Sequence, residues 1–212
     1  MQNSRGDFFC SNSSAVNQVD PVNGWKIIKS YPIYYTYDAT GDYLGLTIKS
    51  TGGFDIDIID TTTTNMICVA HLSDYRFYVP SAKTVYYLNT NNDTSFTLKS
   101  FNCLTNATTA LVTFSIPATQ VYDFDSFNEN AAFLTVGWNS SSTTAILAVS
   151  SQSMPGPITQ FKTRCTDPRE CYHKVNDTHF VLQYTVNNID YLGLYTVTSS
   201  LNINLVKSFD LT

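Results

Sequence analysis

Four carboxylates and three tyrosines are the residues that we single out for binding chemistry. The carboxylates fall in predicted turns that lead from a first to a second short strand, and the tyrosines fall in predicted first strands. Two carboxyl groups about 5 to 10 Å apart can hydrolyse a glycosidic bond, and tyrosine rings stack on sugars or anchor protein partners. The predicted ligand-binding residues are Tyr35, Tyr37, Asp38, Asp42, Tyr78, Glu129 and Asp177.

Other residue types with catalytic or metal-binding potential lack the necessary context. The three histidines lie in no metal-binding spacing and near no nucleophile elbow, so we interpret them as surface residues. Asp55 and Asp57 share one face of a predicted strand and could hold a divalent cation, but a solvated strand face explains the same alternation. A second Asp-x-Asp, at 123–125, is a weaker candidate. The sequence therefore predicts no catalytic residue, no metal site and no cofactor.

A three-residue motif near the start of the chain resembles integrin-binding loops. Residues 5–7 read Arg-Gly-Asp, and a position close to a terminus favours exposure. A match of three residues also arises by chance, so the motif adds only a minor hypothesis of cell-surface recognition.

Composition narrows the class of partner. The chain has 212 residues, of which 14% are aromatic and 14% charged, with a net charge of −5. This excludes disorder, and the acidic balance argues against nucleic acid or an anionic membrane surface. The longest apolar stretches, such as 146–149, are far shorter than a membrane-spanning helix. We expect a glycan or protein partner and no membrane insertion.

Potential glycosylation sites point to an extracellular location or to a cell or virion surface. Five Asn-x-Ser/Thr sequons are present, about the number expected by chance, yet all fall in predicted turns where a glycan is sterically tolerated. The predicted acceptors are Asn12, Asn92, Asn106, Asn139 and Asn176. The first residues lack the basic and apolar regions of a signal peptide. A secreted protein without such a start is expected to be a mature product or a piece of a longer chain.

The five cysteines have no zinc-binding spacing and are expected to form disulfides. Cys165 and Cys171 bracket an Asp-Pro turn that can bring them together. The alternative is two unconnected thiols beside a loop. Cys68 and Cys103 could form a second bond, which leaves Cys10 over.

A faint internal repeat organises the chain. The second strand of each proposed unit occupies 43–48, 85–90, 133–138 and 180–186, at intervals of about 40 to 50 residues. Each unit carries four short strands separated by turns, and the predicted first strands occupy 34–38, 75–79, 121–125 and 171–175. This pattern resembles β-propeller repeats in general, over about residues 25–212, without the motifs of a specific family. The resemblance implies blade-like antiparallel sheets whose central strands are buried on both faces.

The predicted fold is all-β, a propeller or propeller fragment of about four four-stranded blades, with almost no helix. An N-terminal strand and polar connection (1–24) precede a single β-repeat domain (25–212), and the early strands form half of a preceding blade. The alternative is a β-sandwich or lipocalin-like barrel, which also uses many short strands.

Three functions are compatible with these features. The first is a non-enzymatic secreted or surface module for binding or adhesion that engages a glycan or a protein. The second is a glycan-processing enzyme with carboxylates at the axial mouth of the propeller. The third is a structural subunit of a larger extracellular or viral assembly, joined through its edge strands.

Overall fold

The structure is all-β in class, with about 70% of the residues in strands, and the strands form five antiparallel sheets. Apart from the strands, the described part of the chain has one four-residue helix, α1 (Pro168–Cys171). No helix among those residues is long and apolar enough to cross a membrane. A computed structural model describes residues 5–11, 14–32, 37–40, 42–73, 76–81, 83–117, 120–127, 132–165 and 168–211.

The chain divides into two compact units, one of residues 1–89 and 99–110 and the other of residues 90–98 and 111–212. The first sheet contains β1 (Phe8–Ser11), β2 (Ala15–Asp20) and β3 (Lys26–Pro32). The second contains β4 (Tyr37–Thr40), β5 (Tyr43–Ser50), β6 (Gly53–Asp60) and β7 (Met66–Leu72). The third contains β8 (Phe77–Ser81), β9 (Thr84–Asn92), β10 (Ser95–Asn102) and β11 (Ala107–Ser115).

The remaining two sheets lie wholly in the second unit, whereas the strands of the third sheet have residues in both units. The fourth sheet contains β12 (Gln120–Phe127), β13 (Ala132–Asn139), β14 (Thr144–Ser150) and β15 (Pro155–Lys162). The fifth contains β16 (Tyr172–Lys174), β17 (His179–Val186), β18 (Ile189–Val197) and β19 (Ile203–Asp210).

Strand order follows chain order across every sheet, so each sheet is an antiparallel meander. This confirms four repeats of four strands, the blade arrangement that the sequence predicts. Within the described residues the strands form five separate small sheets and no closed barrel. The lipocalin-like alternative is therefore wrong.

Burial explains why the strands have their sequences. In the fourth sheet β14 is fully buried and β13 is buried except at its last residue, which requires nearly continuous apolar runs. In β17 buried residues alternate with partly exposed ones through the first half of the strand. The last strands, β15 and β19, are mostly exposed, as edge strands are.

The edge strands β3 and β19 share a contact between a lysine ammonium and an aromatic ring. Lys29 on β3 places its ammonium 5.2 Å from the ring centroid of Tyr31. Lys207 on β19 does the same with Phe209, at 4.9 Å. Each lysine thus covers an aromatic ring two residues further along its strand, where both side chains lie on the same face.

The N-terminal region departs from the prediction. Residues 15–20, predicted as part of a polar connection, form the strand β2, which pairs with β1 and with β3. The half-blade is therefore a sheet of three strands, and β2 and β3 pair across the proposed boundary at 24/25. This strand has no continuous apolar pattern in the sequence because one of its fully buried residues, Gln18, is polar. Val16 and Val19 beside it are apolar and buried.

Gln18 can be buried because its amide is fully engaged. Its Nε2 donates to Asp7 Oδ2 at 2.7 Å and to the carbonyl of Thr61 at 3.0 Å. Its Oε1 accepts from the hydroxyl of Tyr31 at 3.0 Å. A buried polar group with complete hydrogen bonding avoids the desolvation penalty of an unpaired one.

Two disulfides are present, which confirms that the chain forms disulfides. Cys68 is bonded to Cys103 in the first unit, and Cys165 to Cys171 in the second, with Cα–Cα distances of 5.7 and 6.0 Å. Cys10 is a free, exposed thiol. Two disulfides indicate an oxidising, extracellular-type environment.

Candidate functional site

Five of the seven predicted ligand-binding residues have side chains outside the part of the chain that the structure describes. Tyr35 and Glu129 lie outside the described residues. Tyr37 and Asp38 lie on β4 and Tyr78 lies on β8, as backbone positions only. Their proposed roles stay predictions.

Asp42 has a clear main-chain role in the second sheet. Its carbonyl accepts hydrogen bonds from the backbone N–H of Thr61 at 2.8 Å and from the Thr61 hydroxyl at 3.0 Å. These bonds tie the turn before β5 to the end of β6, so Asp42 contributes to the local structure of that sheet.

Asp177 belongs to a cluster of charged groups whose proximity strand periodicity alone does not predict. It lies in the turn between β16 and β17, with a side chain 71% exposed. Its carboxylate is 3.1 Å from the ammonium of Lys174. The Lys174 ammonium also lies 5.4 Å from the ring centroid of Phe127.

Two carboxylates of β12 complete this cluster. Asp123 pairs with Val136 and Asp125 with Leu134 on β13. Residues directly opposite each other share a face of the sheet, and Val136 and Leu134 belong to the core of the second unit. Both carboxylates therefore lie on the core side of β12, an edge strand of its sheet.

Tyr172 connects the two first strands of the second unit. Its buried ring packs against Phe180 with centroids 5.5 Å apart. Its hydroxyl donates to Asp125 Oδ2 at 2.6 Å, which joins β16 to β12. We call Asp123, Asp125, Tyr172, Lys174 and Asp177 the first-strand cluster.

Burial dominates the electrostatics of the first-strand cluster, and repulsion by Asp125 adds to it at Asp123. Burial, then the charge of Asp125, raises the pKa of Asp123 to about 7. Burial also raises the pKa of Asp125, against the hydrogen bond from Tyr172 and the charge of Lys174. The pKa of Tyr172 rises well above its ordinary value because of burial and then Asp125. The cluster therefore gains from an additional positive charge, which would favour the ionised carboxylates.

The sequence provided part of the signal for this cluster. The sequence predicts both segments as first strands, and it indicates 123–125 only as a weak metal candidate. Contact between β12 and β16 depends on how two successive sheets pack, which strand periodicity does not specify. Among the described residues, no three His, Cys, Asp or Glu side chains form a group that could hold a metal ion.

The other acidic motif, on β6, has a local partner. Asp55 lies opposite His71 on β7, and the Asp55 carboxylate is 2.7 Å from His71 Nδ1. Burial, then the charge of Asp55, raises the pKa of Asp57. The arrangement is an acidic strand face with one neighbouring imidazole.

The Arg-Gly-Asp motif is not displayed as a recognition loop. Asp7 is only 6% exposed. Its carboxylate accepts from Gln18 and lies 3.3 Å from the guanidinium of Arg5. A recognition motif has to present its carboxylate to a partner, so the hypothesis that residues 5–7 bind an integrin-like receptor is wrong.

The described sequons occupy surface turns. The side chains of Asn92 and Asn176 accept hydrogen bonds from the backbone N–H groups of the residues two and three positions later. Asn139 accepts in the same way and is half-buried, whereas Asn106 is exposed with a φ of 54°. Asn12 lies outside the described residues. Glycosylation at these sites stays a prediction.

Comparison with known proteins supports the fold. No protein-family model and no curated protein matches the chain. Among solved structures, hydrazine synthase of Kuenenia stuttgartiensis matches with a TM-score of 0.62 and 9% identity, over 96% of this chain and 64% of that chain. The Dos1 propeller matches with a TM-score of 0.54 and 11% identity, over 100% and 59%. The β-propeller domain of the trilobed protease of Pyrococcus furiosus matches with a TM-score of 0.51 and 9% identity, over 85% and 57%.

These neighbours establish a β-propeller type of repeat architecture and no specific family. The chain spans less than two thirds of the length of each of the three. At such low identity the likeness concerns the fold alone.

Proposed function

We propose that this protein is a non-enzymatic binding module that engages a partner through the first-strand cluster. The observation that carries the proposal is the concentration of three carboxylates, one tyrosine and one lysine on two adjacent first strands and the turn that follows. β-Propeller domains commonly bind protein partners or form part of larger assemblies, which agrees with this role.

The charge of the cluster selects the partner chemistry. Three aspartates face one lysine, and the whole chain carries a net charge of −5. A cationic group placed beside Asp123 and Asp125 stabilises their ionised forms and competes with Lys174. We therefore favour a protein partner with a basic side chain over a neutral glycan, which stays the alternative ligand.

A basic peptide tests this proposal directly. Binding of a fluorescent pentalysine peptide is measured by anisotropy at low salt. We expect Asp125→Asn to weaken binding about tenfold, because it removes a charge but keeps an oxygen that accepts from Tyr172. Asp93→Asn, in an exposed turn of the same unit, is the matched control and should leave binding unchanged. Equal loss in both variants would show non-specific attraction to an acidic protein.

The pH dependence of binding provides a second criterion. Because the pKa of Asp123 is about 7, this carboxyl is mostly neutral at pH 6 and must ionise to attract a cation. We expect the affinity for pentalysine to fall by up to about tenfold per pH unit below pH 7. Asp123→Asn should bind more weakly and with a shallower pH profile, because Asp125, whose pKa is also raised by burial, still titrates.

We also propose that the protein acts outside the cell or on a surface and carries glycans. The two disulfides and the exposed sequons at Asn92, Asn106 and Asn176 support this location. Expression through a secretory pathway, followed by intact mass before and after enzymatic removal of N-glycans, tests it. A mass equal to that of the bare sequence would contradict the proposal.

Glycan processing is a second candidate, and one observation favours it. A carboxyl with a pKa of about 7 has the protonation state that a general acid needs near neutral pH. In that case Asp123→Asn abolishes turnover of an oligosaccharide substrate while glycan binding persists. Binding of glycans without any hydrolysis by the wild-type protein would remove this alternative.

A further inference from the structure

The first sheet has one strand fewer than the other four. It contains β1, β2 and β3, whereas each of the remaining sheets contains four strands. In the described part of the chain, β1 pairs with β2 on one side and no strand pairs with its other edge. The backbone N–H and C=O groups along such an edge are the groups that hydrogen-bond to a further strand.

Strand register shows which strand position is open. In the second, fourth and fifth sheets the pairing of third and fourth strands shifts register within the last four residues of the third strand, whereas the pairing of second and third strands does not shift. The first sheet has the same shift between β2 and β3, at Gln18 and Val19, and none between β1 and β2. Its strands therefore correspond to the second, third and fourth strands of the other sheets, and the open position beside β1 is that of a first strand.

The strand β1 lacks the residues that protect sheet edges. Its sequence is Phe-Phe-Cys-Ser, with no charged residue and no proline. The edge strands β3 and β15, by contrast, carry lysine and proline, which discourage pairing with another strand. Phe9 is buried in the core of the first unit, so β1 is held in place by packing as well as by β2. The edge is thus preformed for the addition of a strand.

A free thiol lies on this same strand. All five cysteines are in the described part of the chain; four form the two disulfides, and Cys10 is free and exposed. Cys10 lies opposite Asn17 of β2, whose carbonyl oxygen is 3.8 Å from Cys10 Sγ. In a chain that forms disulfides, an odd exposed cysteine is expected to pair with a thiol of another molecule.

The open edge and the thiol together select the partner. The partner has to supply a strand edge and a thiol at the same place, and a second copy of this chain supplies both through β1 itself. When two identical strands pair antiparallel about Cys10, each Cys10 lies opposite its counterpart, which is an isologous contact. Opposite residues in such a pair have Cα atoms about 4.5 or 5.5 Å apart, and disulfides span about 4.4 to 6.8 Å. Either kind of pair therefore permits a disulfide.

We propose that two copies of this protein pair antiparallel through β1 and are joined by a disulfide between their Cys10 residues. A strand of four residues contributes too small an interface for a stable dimer by itself, so the disulfide holds the two copies together. Two Sγ–H bonds break and one Sγ–Sγ bond forms, while two electrons and two protons pass to a low-molecular-weight disulfide that becomes two thiols. β1 belongs to the first unit, so the proposal goes beyond the proposed function, which concerns the second.

Oxidation in a glutathione buffer tests this pairing. The full chain at micromolar concentration is equilibrated with oxidised and reduced glutathione, and the product is analysed by light scattering and by mass spectrometry of a non-reduced tryptic digest. We expect a dimer linked between two copies of peptide 6–26, which contains Cys10 and no other cysteine. The dimer should revert to monomer on reduction, and Cys10→Ser should stay monomeric. A glutathione adduct of Cys10 without dimer, or a dimer of Cys10→Ser, would overturn the proposal.

Moving the thiol by one residue distinguishes strand pairing from random oxidation. The matched control combines Cys10→Ser with Ser11→Cys, which keeps a thiol at an exposed position of β1. In a pair centred on residue 10, the two residues 11 are diagonal neighbours about 7 to 8 Å apart. Because this exceeds the reach of a disulfide, we expect at least about tenfold less dimer from the control than from the wild type. Equal amounts of dimer would mean that any exposed thiol on β1 is sufficient, which contradicts the proposed register.

Hydrogen exchange reports on the strand pairing itself. Backbone N–H groups that point away from β2 donate to the partner strand in the dimer, so these amides among residues 8–11 should exchange at least about tenfold more slowly than in the reduced monomer. The amides of β19, an edge strand of the second unit, are the internal control and should not change. Unchanged exchange in β1 would show that the disulfide joins the copies without strand pairing, and the proposal would then be wrong.

Discussion

Neutralising Asp123 should make the protein more stable at neutral and alkaline pH. The folded state raises the pKa of this carboxyl from 3.8 to about 7, because burial and the charge of Asp125 disfavour its ionised form. Between these two pH values the folded protein holds a proton that the unfolded chain has released. Protonated Asp123 therefore makes its full contribution to the free energy of unfolding below about pH 4, and this contribution is lost as the pH rises through 7.

The size of the effect follows from the shift. A change of about three pH units corresponds to about 4 kcal/mol of unfolding free energy for a fully buried group. Asp123 is partly exposed, and solvent screening reduces this to about 2 kcal/mol. Asp123→Asn keeps an oxygen that can accept from the N–H of Phe124, a bond of 2.9 Å in the wild type. We expect equal stability at pH 4 and a gain of about 2 kcal/mol at pH 8, or about 4 to 8 °C in Tm.

The assay has to report on the second unit. In a Trp25→Phe background the remaining tryptophan, Trp138, lies on the buried strand β13 of that unit, and its emission follows unfolding in urea from pH 4 to 8. Carboxyls remote from Asp123 titrate alike in both proteins and cancel in the difference, whereas loss of the Asp123 charge also favours ionised Asp125 and adds to the gain at pH 8. Asp93→Asn is the control and should parallel the wild type. Parallel curves for Asp123→Asn and wild type, or a variant less stable at pH 8, would refute the reasoning.

Three further changes test the packing. Gln18→Ala should lower the free energy of unfolding, measured in urea, by about 2 to 3 kcal/mol, because it leaves the buried carboxylate of Asp7 without its 2.7 Å donor. An effect below about 0.5 kcal/mol would show that water replaces the amide. Replacing both Cys68 and Cys103 by serine removes a bridge between residues 35 apart and should cost about 4 kcal/mol in chemical unfolding; an unchanged midpoint would contradict this. Gly193→Ala should cost about 1 to 3 kcal/mol by calorimetry, because an added Cβ would collide with the ring of Tyr195; an unchanged Tm would mean that the ring moves aside freely.

The sequence was sufficient for the repeat architecture. Short apolar runs recur every 40 to 50 residues or so, and turn residues separate them, which determines strands and meanders locally. It was insufficient for β2, because burial of Gln18 depends on the Asp7 carboxylate and the Thr61 carbonyl, which the fold brings to it from distant positions. A polar strand whose partners are remote has no local apolar pattern.

The candidate site shows the same division. The spacing of strands and turns predicts that the segments around Asp125 and Tyr172 are first strands. Only the packing of the fourth sheet against the fifth brings the Tyr172 hydroxyl to 2.6 Å from the Asp125 carboxylate and buries both groups. Alternation along a strand is a local property, set by backbone geometry. The pKa of a carboxyl depends on the charges and solvent around it in three dimensions, and those are decided by the tertiary structure.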